Sequence, residues 1–190
     1  DTGDRLRRTP ATAGAEWHDV IDLFPELRLP NRAFRNKGDG TFDPVVGAWG
    51  LDVGSDISHG LATGDLDGDG DLDVVINRMG DPALVLRNDS NAGRIGVRLR
   101  GLAPNTGAVG AVIHVRGGPV EQAREVGAGG LYLSHSDGLQ VFATGGAQQL
   151  TIEVRWPSGG VTLIGDASPN RLYEISETGE EPAVDTSTAS

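Results

Sequence analysis

Five of the chain's 18 aspartates fall within nine residues, Asp65-Leu66-Asp67-Gly68-Asp69-Gly70-Asp71-Leu72-Asp73. Carboxylates at positions 1, 3, 5 and 9 of a tight loop present oxygens around one point, and Asp71 at position 7 offers its backbone carbonyl. Calcium takes about six to eight such hard oxygens at about 2.3–2.6 Å in flexible geometry, whereas magnesium keeps its waters and rarely fills an all-protein cage. Gly70 supplies the positive φ that folds such a loop back on itself. The expectation is one Ca²⁺ held by the side chains of Asp65, Asp67, Asp69 and Asp73 and by the carbonyl of Asp71. The plainer reading of the same residues is an acidic, solvated turn.

Other chemistries fit less well. An EF-hand needs Glu at position 12, where this chain has Ile76, and flanking helices, where Leu72-Asp73-Val74-Val75-Ile76 is strand-like. A phosphatase-type pair at Asp71 and Asp73 would follow an apolar strand, and glycines stand there instead. Ser134-His135-Ser136-Asp137 contains triad residue types, but sequence neighbours alternate faces of a strand and rarely form a triad. His18, His59, His114 and His135 lack metal spacing; His59 alone precedes the strand that feeds the acidic loop and is placed to line its rim. No Gly-x-Ser-x-Gly elbow occurs, and Gly127, Gly129 and Gly130 fit no dinucleotide fingerprint. A carboxylate pair for glycoside cleavage stays open as the enzymatic alternative.

The elements that must position the loop are strands. Short Val/Ile/Leu runs are punctuated by Gly, Asn and Asp, and the 29 glycines are about twice the usual share. Runs such as Ser58–Gly64, Leu72–Asn77, Ile95–Arg100, Ala111–Arg116 and Leu150–Trp156 read as strands. Thr151-Ile152-Glu153-Val154-Arg155-Trp156 alternates, which puts Ile152, Val154 and Trp156 on one buried face. Pro157 and Gly159 then suit a type I turn. Only Trp17–Leu27 hints at a helical turn, broken by Pro25. The fold class is all-β.

Ala33-Phe34-Arg35-Asn36-Lys37-Gly38 is echoed by Val85-Leu86-Arg87-Asn88-Asp89-Ser90. A period of about 40–50 residues in an all-β chain points to propeller blades. At 190 residues the chain has room for one blade and a fraction before a second domain begins. A lone blade leaves strand edges unpaired and recruits other strands.

Composition narrows the function. A formal charge of −11 supplies no basic face for phosphates, which argues against nucleic acid. Zero cysteines remove disulfides, thiolate metal sites and thiol catalysis. Runs such as Val74-Val75-Ile76 are far shorter than the roughly 20 apolar residues of a membrane-spanning helix.

Asn31-Arg32-Ala33-Phe34-Arg35-Asn36-Lys37-Gly38-Asp39-Gly40-Thr41-Phe42 resembles the opening of FG-GAP/VCBS-type repeats, and Gly64 to Asn77 resembles their calcium loop and following strand. Residues 91–176 are similar to the ASPIC/UnbV domain of cartilage-acidic-protein-like sequences. Tyr132-Leu133-Ser134 and above all Val154-Arg155-Trp156-Pro157-Ser158-Gly159 carry that likeness. Phe142-Ala143-Thr144-Gly145 departs from the family's Phe-Gly-Leu-Gly string. The resemblance implies an irregular segment over 1–30, a propeller-blade-like segment with the calcium loop over 31–91, and an antiparallel β-sandwich or barrel-like domain over 92–176. A disordered tail is expected over 177–190. It also implies an extracytoplasmic module (periplasmic, cell-surface or secreted) that binds Ca²⁺ and carries no catalytic residues. Its expected partners are proteins of a larger assembly, of which this chain is a subunit or a C-terminal fragment, with carbohydrate as the other ligand class. The alternative is a glycoside-cleaving hydrolase.

Overall fold

A computed structural model describes residues 26–45 and 47–177, and the strand Ala183–Asp185. All regular structure among these residues is β. Fifteen strands follow in chain order. The first seven are β1 Leu29–Pro30, β2 Phe34–Asn36, β3 Phe42–Pro44, β4 Ser55–Asp56, β5 Ser58–Gly64, β6 Asp73–Arg78 and β7 Leu84–Leu86. The next four are β8 Arg94–Arg100, β9 Val112–Arg116, β10 Gln122–Glu125 and β11 Gln140–Ala143. The last are β12 Leu150–Arg155, β13 Val161–Ala167, β14 Arg171–Ser176 and β15 Ala183–Asp185. Most of Trp17–Leu27, the helical hint, lies outside the described residues. No helix among the described residues is long and apolar enough to cross a membrane.

The chain divides into two compact units. One takes in described residues up to Ser58 together with Met79–Asp81; the other takes in His59–Arg78 and the chain from Pro82 onward. In the first unit β1 pairs with β4 and β2 with β3, both antiparallel. These strands are two or three residues long, and Leu29, Phe34, Phe42 and Trp49 stay exposed. They bury too little apolar surface to make a core of their own.

In the second unit β5, β6 and β7 form a three-stranded sheet. The sequence echo has a structural counterpart, one copy in each unit. After β2 the Asn36 side chain accepts the Gly38 N–H at 2.8 Å, and after β7 the Asn88 side chain accepts the Ser90 N–H at 3.2 Å. Each copy thus ends its strand with an Asx turn, the side chain standing in for a backbone acceptor. The outer edge of β5, expected to be bare, is met by the segment Ser134–Asp137. Ser134 Oγ donates to the Leu61 carbonyl (2.7 Å), Thr63 N–H donates to Ser136 Oγ (3.0 Å), and Asp137 N–H donates to the Thr63 carbonyl (2.9 Å).

The remainder of this unit is a β-sandwich. One sheet runs β10-β9-β12-β13 and the other β11-β8-β14-β15; β8 and β14 are parallel and every other pair is antiparallel. Their inner faces share one core that includes Ile95, Val97, Ile113, Val115, Phe142, Ile152, Val154, Trp156, Tyr173 and Ile175. Ile152, Val154 and Trp156 face inward as the alternation requires, and Arg155 faces solvent. The hairpin after Trp156 closes with Gly159 N–H on the Trp156 carbonyl (2.9 Å), and Gly159 takes a φ of 94°. Within the segment expected to be a disordered tail, Ala183–Asp185 returns as β15 and adds to the open edge of β14. An edge strand offers unpaired N–H and C=O groups to any segment that reaches it, whatever its side chains.

On the outer face, Glu153 accepts from Arg155 (2.6 Å) and Arg116 (2.8 Å). Hydrogen bonds from Arg155 and then Arg116 bring its carboxyl down from an ordinary 4.5 to about 2. In the fold it therefore stays ionised until the pH falls through about 2, whereas the unfolded chain protonates it near 4.5. The pair's stabilisation is fully present above about 4.5 and disappears across that window. Glu153→Gln is expected to flatten the acid-side fall in Tm between those pH values, measured by thermal unfolding in a pH series.

Candidate metal centre

The acidic nonapeptide connects β5 to β6 and is organised by its own carboxylates. Asp65 Oδ1 accepts the Gly68 N–H (2.8 Å) and Oδ2 the Gly70 N–H (3.0 Å). Asp69 Oδ1 accepts the Asp71 N–H (3.0 Å). Gly68 and Gly70 lie at φ 81° and 86°, the left-handed region that the successive reversals need. Asp73, 1% exposed, closes the loop: Oδ2 accepts the Leu66 N–H (2.9 Å) and Oδ1 the Asn88 N–H (2.8 Å).

Of the five expected site residues, the fold brings three carboxylates together. One oxygen each from Asp65, Asp67 and Asp73 lies within 4.8 Å of the other two. Two oxygens bonded to opposite sides of a calcium ion are about 4.6–5.2 Å apart, so this spacing suits a shared ion of that size. All three donors are hard oxygens, as calcium prefers. Asp69 and Asp71 are not in that group. The Asp69 carboxylate lies 3.3 Å from Arg94 Nη2. Asp71 is 3% exposed, neither of its oxygens accepts a hydrogen bond, and Arg94 Nη1 stands 3.5 Å away. Burial first, then the neighbouring Asp69, pushes its carboxyl up to about 6. The side chain at position 7 is thus held beside Arg94 rather than in the three-carboxylate group.

Arg94 is the site residue that sequence reading missed. It lies 25 residues from Asp69, at the start of a strand of the sandwich, and no local motif links the two. His59, expected at the loop's rim, instead stacks its ring on Tyr132 with centroids 6.5 Å apart.

Two cavities lie within the second unit. One, of about 450 Å³, is lined by Asp65, Asp67 and Asp69 together with Asn170, Arg171 and Leu172. A second, of about 530 Å³, is lined by Val109, Val126, His135 and Asp137 among others. Its one carboxylate, Asp137, is paired with Arg98 at 3.0 Å. The serines beside it spend their hydroxyls on β5, so Ser134-His135-Ser136-Asp137 is a structural clasp.

Comparison with known families finds an FG-GAP-like repeat over residues 17–76 and an ASPIC and UnbV domain over residues 101–182. The acidic loop falls inside the first match, and strands β9 to β14 fall inside the second. No curated protein matches the chain.

Proposed function

We propose, for a chain that joins an FG-GAP-like repeat to an ASPIC and UnbV domain, a non-catalytic, calcium-binding module of the extracytoplasmic space that assembles with protein partners. The approach of Asp65, Asp67 and Asp73 carries this reading: three carboxylate oxygens within 4.8 Å of one another, close enough to share one ion, repel unless a cation sits among them. Calcium would bridge them and draw in Asp69 and the Asp71 carbonyl; its chemistry there is charge neutralisation and cross-linking of the loop. The exposed Phe34, Phe42 and Trp49 suit a role in assembly, since aromatic side chains are enriched where proteins meet.

Binding to the folded state alone stabilises by RT ln(1 + [L]/Kd), about 2.7 kcal/mol at a hundredfold excess over Kd. Thermal unfolding in calcium is expected several degrees above that in chelator, and Asp67→Ala is expected to remove the difference. Asp67 is exposed and stands outside the loop's framework of backbone bonds to Asp65, Asp69 and Asp73, so its loss should leave the chelated protein as stable as before. Superimposable melting curves in calcium and chelator would sink the reading.

A further inference from the structure

We propose that Arg94 is a resident cation of the acidic loop, a charge built into the chain that keeps residues 69–71 folded and makes calcium a reinforcing rather than an obligatory ligand. The second half rests on the calcium reading; the first does not.

Arg94 opens β8, and its main chain is fixed there: its N–H donates to Asn170 Oδ1 (3.2 Å) and its carbonyl accepts the Asn170 N–H (2.6 Å). From that anchor the side chain leaves the sandwich and enters the loop, where it is 17% exposed. Nη1 donates to the Ser90 carbonyl (2.7 Å) and Nη2 to the Asp69 carbonyl (2.8 Å). The same guanidinium lies 3.3 Å from Asp69 Oδ1 and 3.5 Å from Asp71 Oδ2. It therefore serves the two loop positions that the Asp65–Asp67–Asp73 group leaves out.

The chemistry of the groups explains why a cation belongs there. A buried carboxylate without hydrogen-bond donors, as at Asp71, persists as an anion only beside a positive charge. Only a planar fork can meet two carbonyls and two carboxylates at once, which a lysine ammonium cannot. Arg87 reaches Asp67 only at 4.0 Å from an exposed position, where solvent screens it. With Arg94 present, the chelated loop keeps one compensating charge. With it neutralised, metal is the remaining source of compensation.

The test compares melting temperatures of the full chain in calcium and in chelator. Arg94→Gln keeps a hydrogen-bond donor and deletes the charge. It is expected to lose more stability in chelator than in calcium, widening the calcium shift about twofold; folding in calcium alone is the strongest form of that result. A merely structural residue would lower both temperatures equally, so an unchanged or narrower shift overturns the proposal. Should the variant fail to fold in either condition, Arg94→Gln with Asp71→Asn decides, because it removes the buried charge along with its partner. Regained folding in chelator supports the resident cation, and failure to regain it overturns it. Should the wild type show no calcium shift, the calcium reading falls, and the same double variant in chelator still decides the role of Arg94.

Discussion

Trp156→Ala is expected to cost the fold about 3–5 kcal/mol, the range for deleting a buried aromatic side chain. The indole is 4% exposed, ends the inward row begun by Ile152 and Val154, and closes the core beneath the β12–β13 hairpin. Its Nε1 donates to Thr162 Oγ1 at 2.9 Å, so the deletion also strips a half-buried hydroxyl of its donor. Trp156→Phe separates the two contributions. It keeps most of the ring and removes the hydrogen bond, and should cost nearer about 1 kcal/mol. Urea denaturation followed by circular dichroism measures both. A loss below about 1 kcal/mol for the alanine variant would mean that the ring contributes little to the core.

Asp73→Ala is expected to be the most damaging change in the acidic loop, lowering stability by about 3–5 kcal/mol with or without calcium. Two charge-assisted hydrogen bonds end on this buried carboxylate. One comes from Leu66 inside the loop and the other from Asn88 beyond β7. Their loss leaves two backbone N–H groups without acceptors and unties the exit of β7 from the start of β6. Asp73→Asn retains one good acceptor and should cost about half as much. Asp67 offers the contrast: it shares the oxygen cluster and lies exposed. Asp67→Ala should change the response to calcium and spare the chelated protein, while Asp73→Ala should lower both. Equal chelated stabilities for the two variants, by thermal unfolding, would contradict this division of roles.

What the sequence made legible was whatever depends on neighbours. The alternation of Thr151 to Trp156 names its buried face, because side chains of a strand alternate whatever lies opposite. The Asp-x-Asp-x-Asp-Gly run announces an oxygen-lined loop for the same local reason, and the Asn36 and Asn88 turns follow from side chains that bond two residues onward. What depends on distant chain was hidden. Arg94 meets Asp69 and Asp71 only because β8 starts beside the loop. Ala183–Asp185 forms a strand because β14 presents an edge, and its own composition carries no β pattern. Ser134, Ser136 and Asp137 read in sequence only as triad residue types poorly placed for a triad; their use, fastening a loop to β5, was hidden because it is set by residues about 73 positions away. The partition into two units is also a long-range property, with Met79–Asp81 joining residues far upstream.

The parallel pairing of β8 with β14 governs the order in which this protein can be made. Ile95 lies opposite Arg171 and Leu99 opposite Ile175, and the chain between them holds all four strands of the partner sheet, β9, β10, β12 and β13, together with β11 on the other side of β8. During synthesis from the N-terminus, β8 is the first strand of the sandwich to emerge, and one of its sides stays unpaired until β14 has left the ribosome. Loop closure over such a span must be achieved before those contacts reward it, which places the sandwich among the slow folders. In that interval Ile95, Val97 and Leu99 form a hydrophobic strand with an open edge, a template for the matching segment of another nascent chain. A shortened chain lacking Arg171–Ser176 would stay in that state, prone to aggregate even though most of its core residues are present.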